Sequence, residues 1–133
     1  MKFILFISLY LTIMIGIFNG CKDTITGSQL DSVVIPSSNV SYSKYIQPVF
    51  NLKCANSGCH DDATAAGGYS LTTWAGATNP LYVSKGNANT STLVQSIEGL
   101  SGANPMPPVG YPVLTQNQIQ GIKIWVSEGA KNN

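Results

Sequence analysis

The chain has 133 residues, a formal net charge of +1 and only 10% charged side chains, and all seven cationic residues are lysines. That balance excludes a nucleic-acid footprint, which needs a basic stripe, and gives no basis for long-range steering of a charged partner. Three cysteines, three methionines and one histidine are the chain's whole supply of sulfur and imidazole ligands.

Lys2 precedes an apolar stretch, Phe3 to Phe18, broken by Ser8, Thr12 and Gly16. The stretch is short for a membrane span and has the length of a signal-peptide core. Phe18-Asn19-Gly20-Cys21 follows and resembles a bacterial lipoprotein signal, although Phe18 and Asn19 depart from the usual leucine and small residue. The resemblance implies removal of residues 1–20 and lipidation of Cys21. It also implies export to the bacterial cell envelope, on the periplasmic or outer-membrane side. The alternative is an ordinary signal peptide cut near Gly20, which leaves an odd free thiol. With the leader removed, six lysines oppose six acidic residues and one small domain remains.

Residues 21–40 are rich in Thr, Ser, Asn and Asp, with one apolar patch at Val33-Val34-Ile35. They read as a mostly extended tether between lipid and domain. The patch has a second reading, a short strand against the domain. The domain itself is placed at residues 41–133. Ile46, Val49 and Phe50 have the i, i+3, i+4 spacing of one helical face. Pro48 is acceptable only in the first turn, so the helix is expected from about Tyr45 or Ile46 to Lys53.

Gly67-Gly68 marks a turn, and Tyr69 to Ala75 is expected to form one or two helical turns. Thr90 or Ser91 can cap a brief helix through Ile97, with Leu93, Val94 and Ile97 inward and Gly99 ending it. Residues 101–112 hold four prolines and two glycines, which leaves no regular element there. Thr115 and Gln118 make a capping box for a last helix, about Gln116 to Glu128. Ile119, Ile122 and Val126 share one face of it, with Trp125 at the edge and Gly129 as the C-terminal stop.

The chemistry concentrates in Cys54-Ala55-Asn56-Ser57-Gly58-Cys59-His60 and in Asn104-Pro105-Met106-Pro107-Pro108-Val109-Gly110. Two thiols followed directly by an imidazole read as covalent haem attachment. Outside the N-terminal apolar stretch His60 is the one histidine and Met106 the one methionine, so a His/Met-ligated haem admits a single assignment. Two other readings of the cysteines stand beside it. An oxidising compartment permits a Cys54–Cys59 disulfide, and zinc could draw on Cys54, Cys59, His60 and Asp61 or Asp62, short of its usual closer cysteine pairs. Met106 could also be core filler, with a five-coordinate iron or a lysine ligand in its place.

From about Ser41 to Ala130 the chain resembles a small class I, mono-haem cytochrome c. The likeness is strongest to a bacterial branch with a helix running into a widened Cys-x4-Cys-His motif, a Met-Pro-Pro loop and a final Trp-bearing helix. The resemblance implies an all-α fold of short helices and loops around one covalent haem c, with Phe50 and Val49 of the first helix near Ile122, Trp125 and Val126 of the last. It implies thioethers at Cys54 and Cys59, proximal ligation by His60 and distal ligation by Met106. The departure is the spacing. Cysteines five positions apart sit about 140° apart around a regular helix, so the backbone must bulge, and Asn56, Ser57 and Gly58 are residues that turns favour. Trp74, Tyr69, Tyr82 and Tyr111 are candidates for lining the haem, with ordinary packing as the plainer reading. Asp61-Asp62 reads as a solvated turn.

These readings converge on a membrane-anchored electron-transfer protein, exchanging electrons with an unidentified redox partner, as a monomer or docked to a larger redox complex. The alternatives are a haem-based sensor or small-ligand binder, and a haem-free, disulfide-linked lipoprotein interaction module. An enzyme is disfavoured: no Ser/His/Asp set and no second histidine are available for acid–base work.

Overall fold

The computed structural model describes residues 25–100 and 102–133, and among these it is helical with no strand. The expected all-α class, short helices joined by loops, is what the described residues adopt. None of these helices is long and apolar enough to cross a membrane. The leader and Cys21 lie outside the described residues.

The first element is one the sequence reading missed. Helix α1, Gly27–Ser32, opens on Thr26, whose hydroxyl accepts from the Gln29 N–H while the Gln29 side chain accepts from the Thr26 N–H, a complete capping box. Leu30, Ile35 and Val40 are all buried. Asn117 accepts from the Ile35 N–H at 2.8 Å and donates to its carbonyl at 3.2 Å. Glu128 accepts from the N–H groups of Asn39 and Val40 at 2.6 and 2.9 Å. Residues 26–40 are thus not an extended tether but a strap seated on the domain. Its three apolar residues supply the burial that a free linker lacks. Of the Val33-Val34-Ile35 patch only Ile35 turns inward, and no strand forms.

Tyr42–Ile46 forms a π-helical turn, capped by Ser41, that runs into α2, Gln47–Lys53. Pro48 has no N–H to return to the Lys44 carbonyl, and the turn before it widens so that the Gln47 N–H reaches the Tyr42 carbonyl. Helical structure therefore begins earlier than periodicity suggests. Ile46, Val49 and Phe50 are buried as their spacing requires. Helix α3, Trp74–Ala77, starts later than expected because the Thr73 hydroxyl accepts from the Gly76 N–H and sets the boundary. Helix α4, Thr92–Glu98, buries Leu93, Val94 and Ile97 and ends on Gly99 at φ +65°. Ser91 precedes it, but its hydroxyl serves Ser84 and Asn87 rather than the helix.

Helix α5, Gln116–Ser127, has the expected Thr115–Gln118 capping box. Trp125 lies at the centre of the buried face, not its edge, with no solvent exposure. It stacks on Tyr42 at 5.2 Å between ring centroids and meets Phe50 edge-on at 6.2 Å. The last residues close over the π turn, where the Asn133 carbonyl accepts from the Ser43 N–H at 2.9 Å. Residues 42–53 and 116–133, packed around Trp125, form the scaffold, and the loops between them are left to build the site.

Candidate haem site

Helix α2 stops at Lys53, and the Cys54 and Ala55 N–H groups both return to the Phe50 carbonyl at 2.9 and 2.8 Å. The bulge expected between the cysteines is a tight turn. The Cys59 N–H reaches the Asn56 carbonyl at 2.9 Å, Gly58 adopts φ +84°, and the His60 N–H reaches back to the Cys54 carbonyl at 3.2 Å. That last bond joins the two ends of the motif directly. Asp61 then fastens the turn from outside. Its carboxylate accepts from the N–H groups of Gly58 at 2.9 Å and Thr64 at 2.6 Å, and these donors, Thr64 foremost, hold it below the usual aspartate range. Asp62 accepts from the hydroxyls of Ser70 (2.6 Å) and Thr72, which lower its pKa likewise. The acidic pair is loop structure, not a bare solvated turn.

Cys54, Cys59, His60 and Met106 line one cavity of about 450 Å³, with Leu71, Leu93 and Ile97 among its apolar walls. That volume falls in the range of roughly 300–1,000 Å³ typical of cofactor pockets. Both thiols are half-buried and free. Burial pushes the Cys54 thiol up to about 12. Among the described residues no group of three or more His, Cys, Asp and Glu side chains is placed to hold a metal ion, so the zinc reading finds no support.

The imidazole is fixed by a group that sequence reasoning did not single out. His60 Nδ1 lies 2.8 Å from the Tyr69 carbonyl. An oxygen with no proton there makes Nδ1 the N–H donor, so that in the neutral ring the lone pair is on Nε2. Metal-ligating histidines are commonly oriented in this way. The return of Tyr69 to His60 depends on Gly67 and Gly68, both at positive φ, a conformation costly for residues with a Cβ. Gly67-Gly68 was the legible signal; the identity of the acceptor was not. The Tyr69 ring stacks on Tyr82 at 4.2 Å between centroids. Both hydroxyls go to backbone carbonyls, Tyr69 to Ala77 at 2.7 Å and Tyr82 to Gly67. Tyr69, Tyr82 and Tyr111 line the cavity, whereas Trp74 does not; its indole N–H donates to the Ala130 carbonyl at 2.8 Å.

Met106 reaches the cavity from the irregular Pro-rich segment, its N–H bonded to the Ser96 carbonyl at 3.0 Å and its bond to Pro107 cis. The lysine on the cavity wall, Lys53, is committed to Asp31 and to the Val113 carbonyl, so it is not free to replace Met106 as a ligand. Two thiols, an imidazole with a bare nitrogen and a thioether, set around an apolar cavity, fit a covalently attached haem.

Residues 57–110 match a family model described as Planctomycete cytochrome C, a span that contains Cys59, His60 and Met106 and begins just after Cys54. No curated protein matches the chain, and no solved structure does. The family match supports a cytochrome c-type domain in this chain, and with it a covalently bound haem c.

Proposed function

We propose that the chain is an electron carrier with one haem c, which Cys54 and Cys59 would hold covalently and whose iron His60 and Met106 would ligate. The observation that carries this reading is the His60 ring, its Nδ1 bound to the Tyr69 carbonyl at 2.8 Å on a cavity wall shared with both thiols and Met106. The bound group supplies a one-electron ferric–ferrous couple. His60 offers Nε2 in a fixed orientation from one loop, and Met106 offers a thioether from another. If both residues held the iron they would leave it no open site for a small molecule, which favours a carrier over a sensor. Thioether ligation opposite histidine raises the reduction potential relative to two histidines. Leu71, Leu93 and Ile97 give the cavity apolar walls, and a transient contact with a redox partner suffices for exchange.

Cys21 is the proposed lipid attachment point. Thr26 caps α1, which buries Leu30 against the domain, and the five residue steps from Cys21 to Thr26 span at most about 18 Å. Lipidation at Cys21 would hold the domain close against the bilayer rather than at the end of a long tether.

The test is visible absorption and intact mass of the full chain, wild type beside Met106→Ala, from a host that matures c-type haem. Wild type is expected to be pigmented, heavier by one covalent haem and inert to carbon monoxide when reduced. Met106→Ala is expected to keep the pigment, lose the weak long-wavelength thioether–iron band and bind carbon monoxide. Colourless wild-type protein refutes the reading, and carbon monoxide binding by wild type moves it to a sensor.

A further inference from the structure

Lys53 ends α2, one residue before the first thiol, and is only 5% exposed. An ammonium buried so far needs partners, and it has two. Asp31 Oδ1 lies 2.5 Å from Nζ, and the Val113 carbonyl accepts from Nζ at 2.7 Å. Asp31, on α1, also accepts from Gln118 Nε2 at 3.0 Å. One cation therefore joins the N-terminal strap, α2 and the far end of the segment that carries Met106.

That segment has little else to hold it. Among the described residues, two hydrogen bonds tie 104–113 to the rest of the domain: Met106 N–H to the Ser96 carbonyl, and Lys53 Nζ to the Val113 carbonyl. Pro105, Pro107, Pro108 and Pro112 have no N–H to offer. Val109 is fully exposed and Val113 73% exposed, and Met106 is the apolar side chain of the stretch that packs against the core. The stretch is fixed at Met106 and again seven residues later by Lys53.

We infer that Lys53 is a positioning residue for Met106: by holding the Val113 carbonyl it closes the Pro-rich segment over the cavity. Asp31 neutralises the buried cation that does so. The inference rests on the ligand role proposed for Met106, and its test separates the two.

Hydrogen exchange by mass spectrometry on the full chain compares wild type with Lys53→Met, Lys53→Arg and Asp31→Asn, alongside imidazole titration of the oxidised pigment. Lys53→Met should speed exchange of amides between Met106 and Val113 about tenfold, the scale of one charge-assisted hydrogen bond lost. It should raise imidazole affinity by a similar factor, because the thioether is then easier to displace. Lys53→Arg keeps charge and donors and should stay near wild type in both. Asp31→Asn should produce a smaller change, and adding it to Lys53→Met no further change, since it acts through Lys53. Should Lys53→Met not fold, Lys53→Gln is read in the same way. Unaltered exchange in this segment overturns the inference, as does faster exchange with unaltered imidazole affinity. Colourless wild type would refute the haem reading, while exchange still decides whether Lys53 holds the segment.

Discussion

Gly121 on α5 gives the sharpest test of how the strap meets the domain. A Cβ added there would lie 2.6 Å from Ile35 Cγ2 and 2.8 Å from its Cδ1. Ile35 cannot retreat easily, because Asn117 holds both its N–H and its carbonyl. Two opposing terms set the sign of Gly121→Ala. Helix propensity alone favours alanine by about 1 kcal/mol, whereas overpacking a filled site costs about 1–3 kcal/mol. With the methyl well inside contact distance the overpacking cost falls in the upper part of that range, about 2–3 kcal/mol, and a net loss of about 1–2 kcal/mol is expected. For a domain of about 100 residues that lowers Tm by roughly 5–10 °C, read by far-UV circular dichroism. Ile35→Ala in the Gly121→Ala background removes the colliding atoms, so the double variant should lose less than the sum of the two single losses. A Gly121→Ala protein as stable as wild type, or more so, would mean that residues 26–40 do not sit on α5.

Further outcomes follow from the same contacts. Trp125→Ala empties the centre of the core and should cost about 3–5 kcal/mol, measured by urea unfolding; a loss below ~1 kcal/mol would contradict its place between Tyr42 and Phe50. Gly67→Ala or Gly68→Ala should cost about 1–2 kcal/mol each from positive φ and broaden the His60 imidazole signals by NMR, whereas an unshifted His60 would show that the turn does not set its orientation. Asp31, Asp61 and Asp62 all have depressed pKa values. Their contribution to stability is therefore complete above the ordinary aspartate value of 3.8 and is lost as pH falls through the lower folded values. Acid titration by circular dichroism should show a loss of stability below about pH 4 that is shallower in Asp61→Asn, and an unchanged acid limb would argue against the hydrogen bonds to Gly58 and Thr64.

The sequence by itself determined what is local. The Ile46, Val49, Phe50 periodicity, the Thr115–Gln118 capping box and the Gly99 stop each act within a few residues, and helices α2, α4 and α5 stand where those signals put them. The scarcity of ligand-bearing side chains made Cys54, Cys59, His60 and Met106 the candidates before any geometry, and all four line one cavity. Tertiary structure decided what depends on partners distant along the chain. Leu30, Ile35 and Val40 are too widely spaced to show a period, and only α5 gives them a surface to cover. The acceptor for His60 is a backbone carbonyl nine residues on, and any residue type carries one. Lys53 looked like an ordinary helix-end cation. Folding buried it between an α1 carboxylate and a loop carbonyl, the partners that a buried ammonium needs.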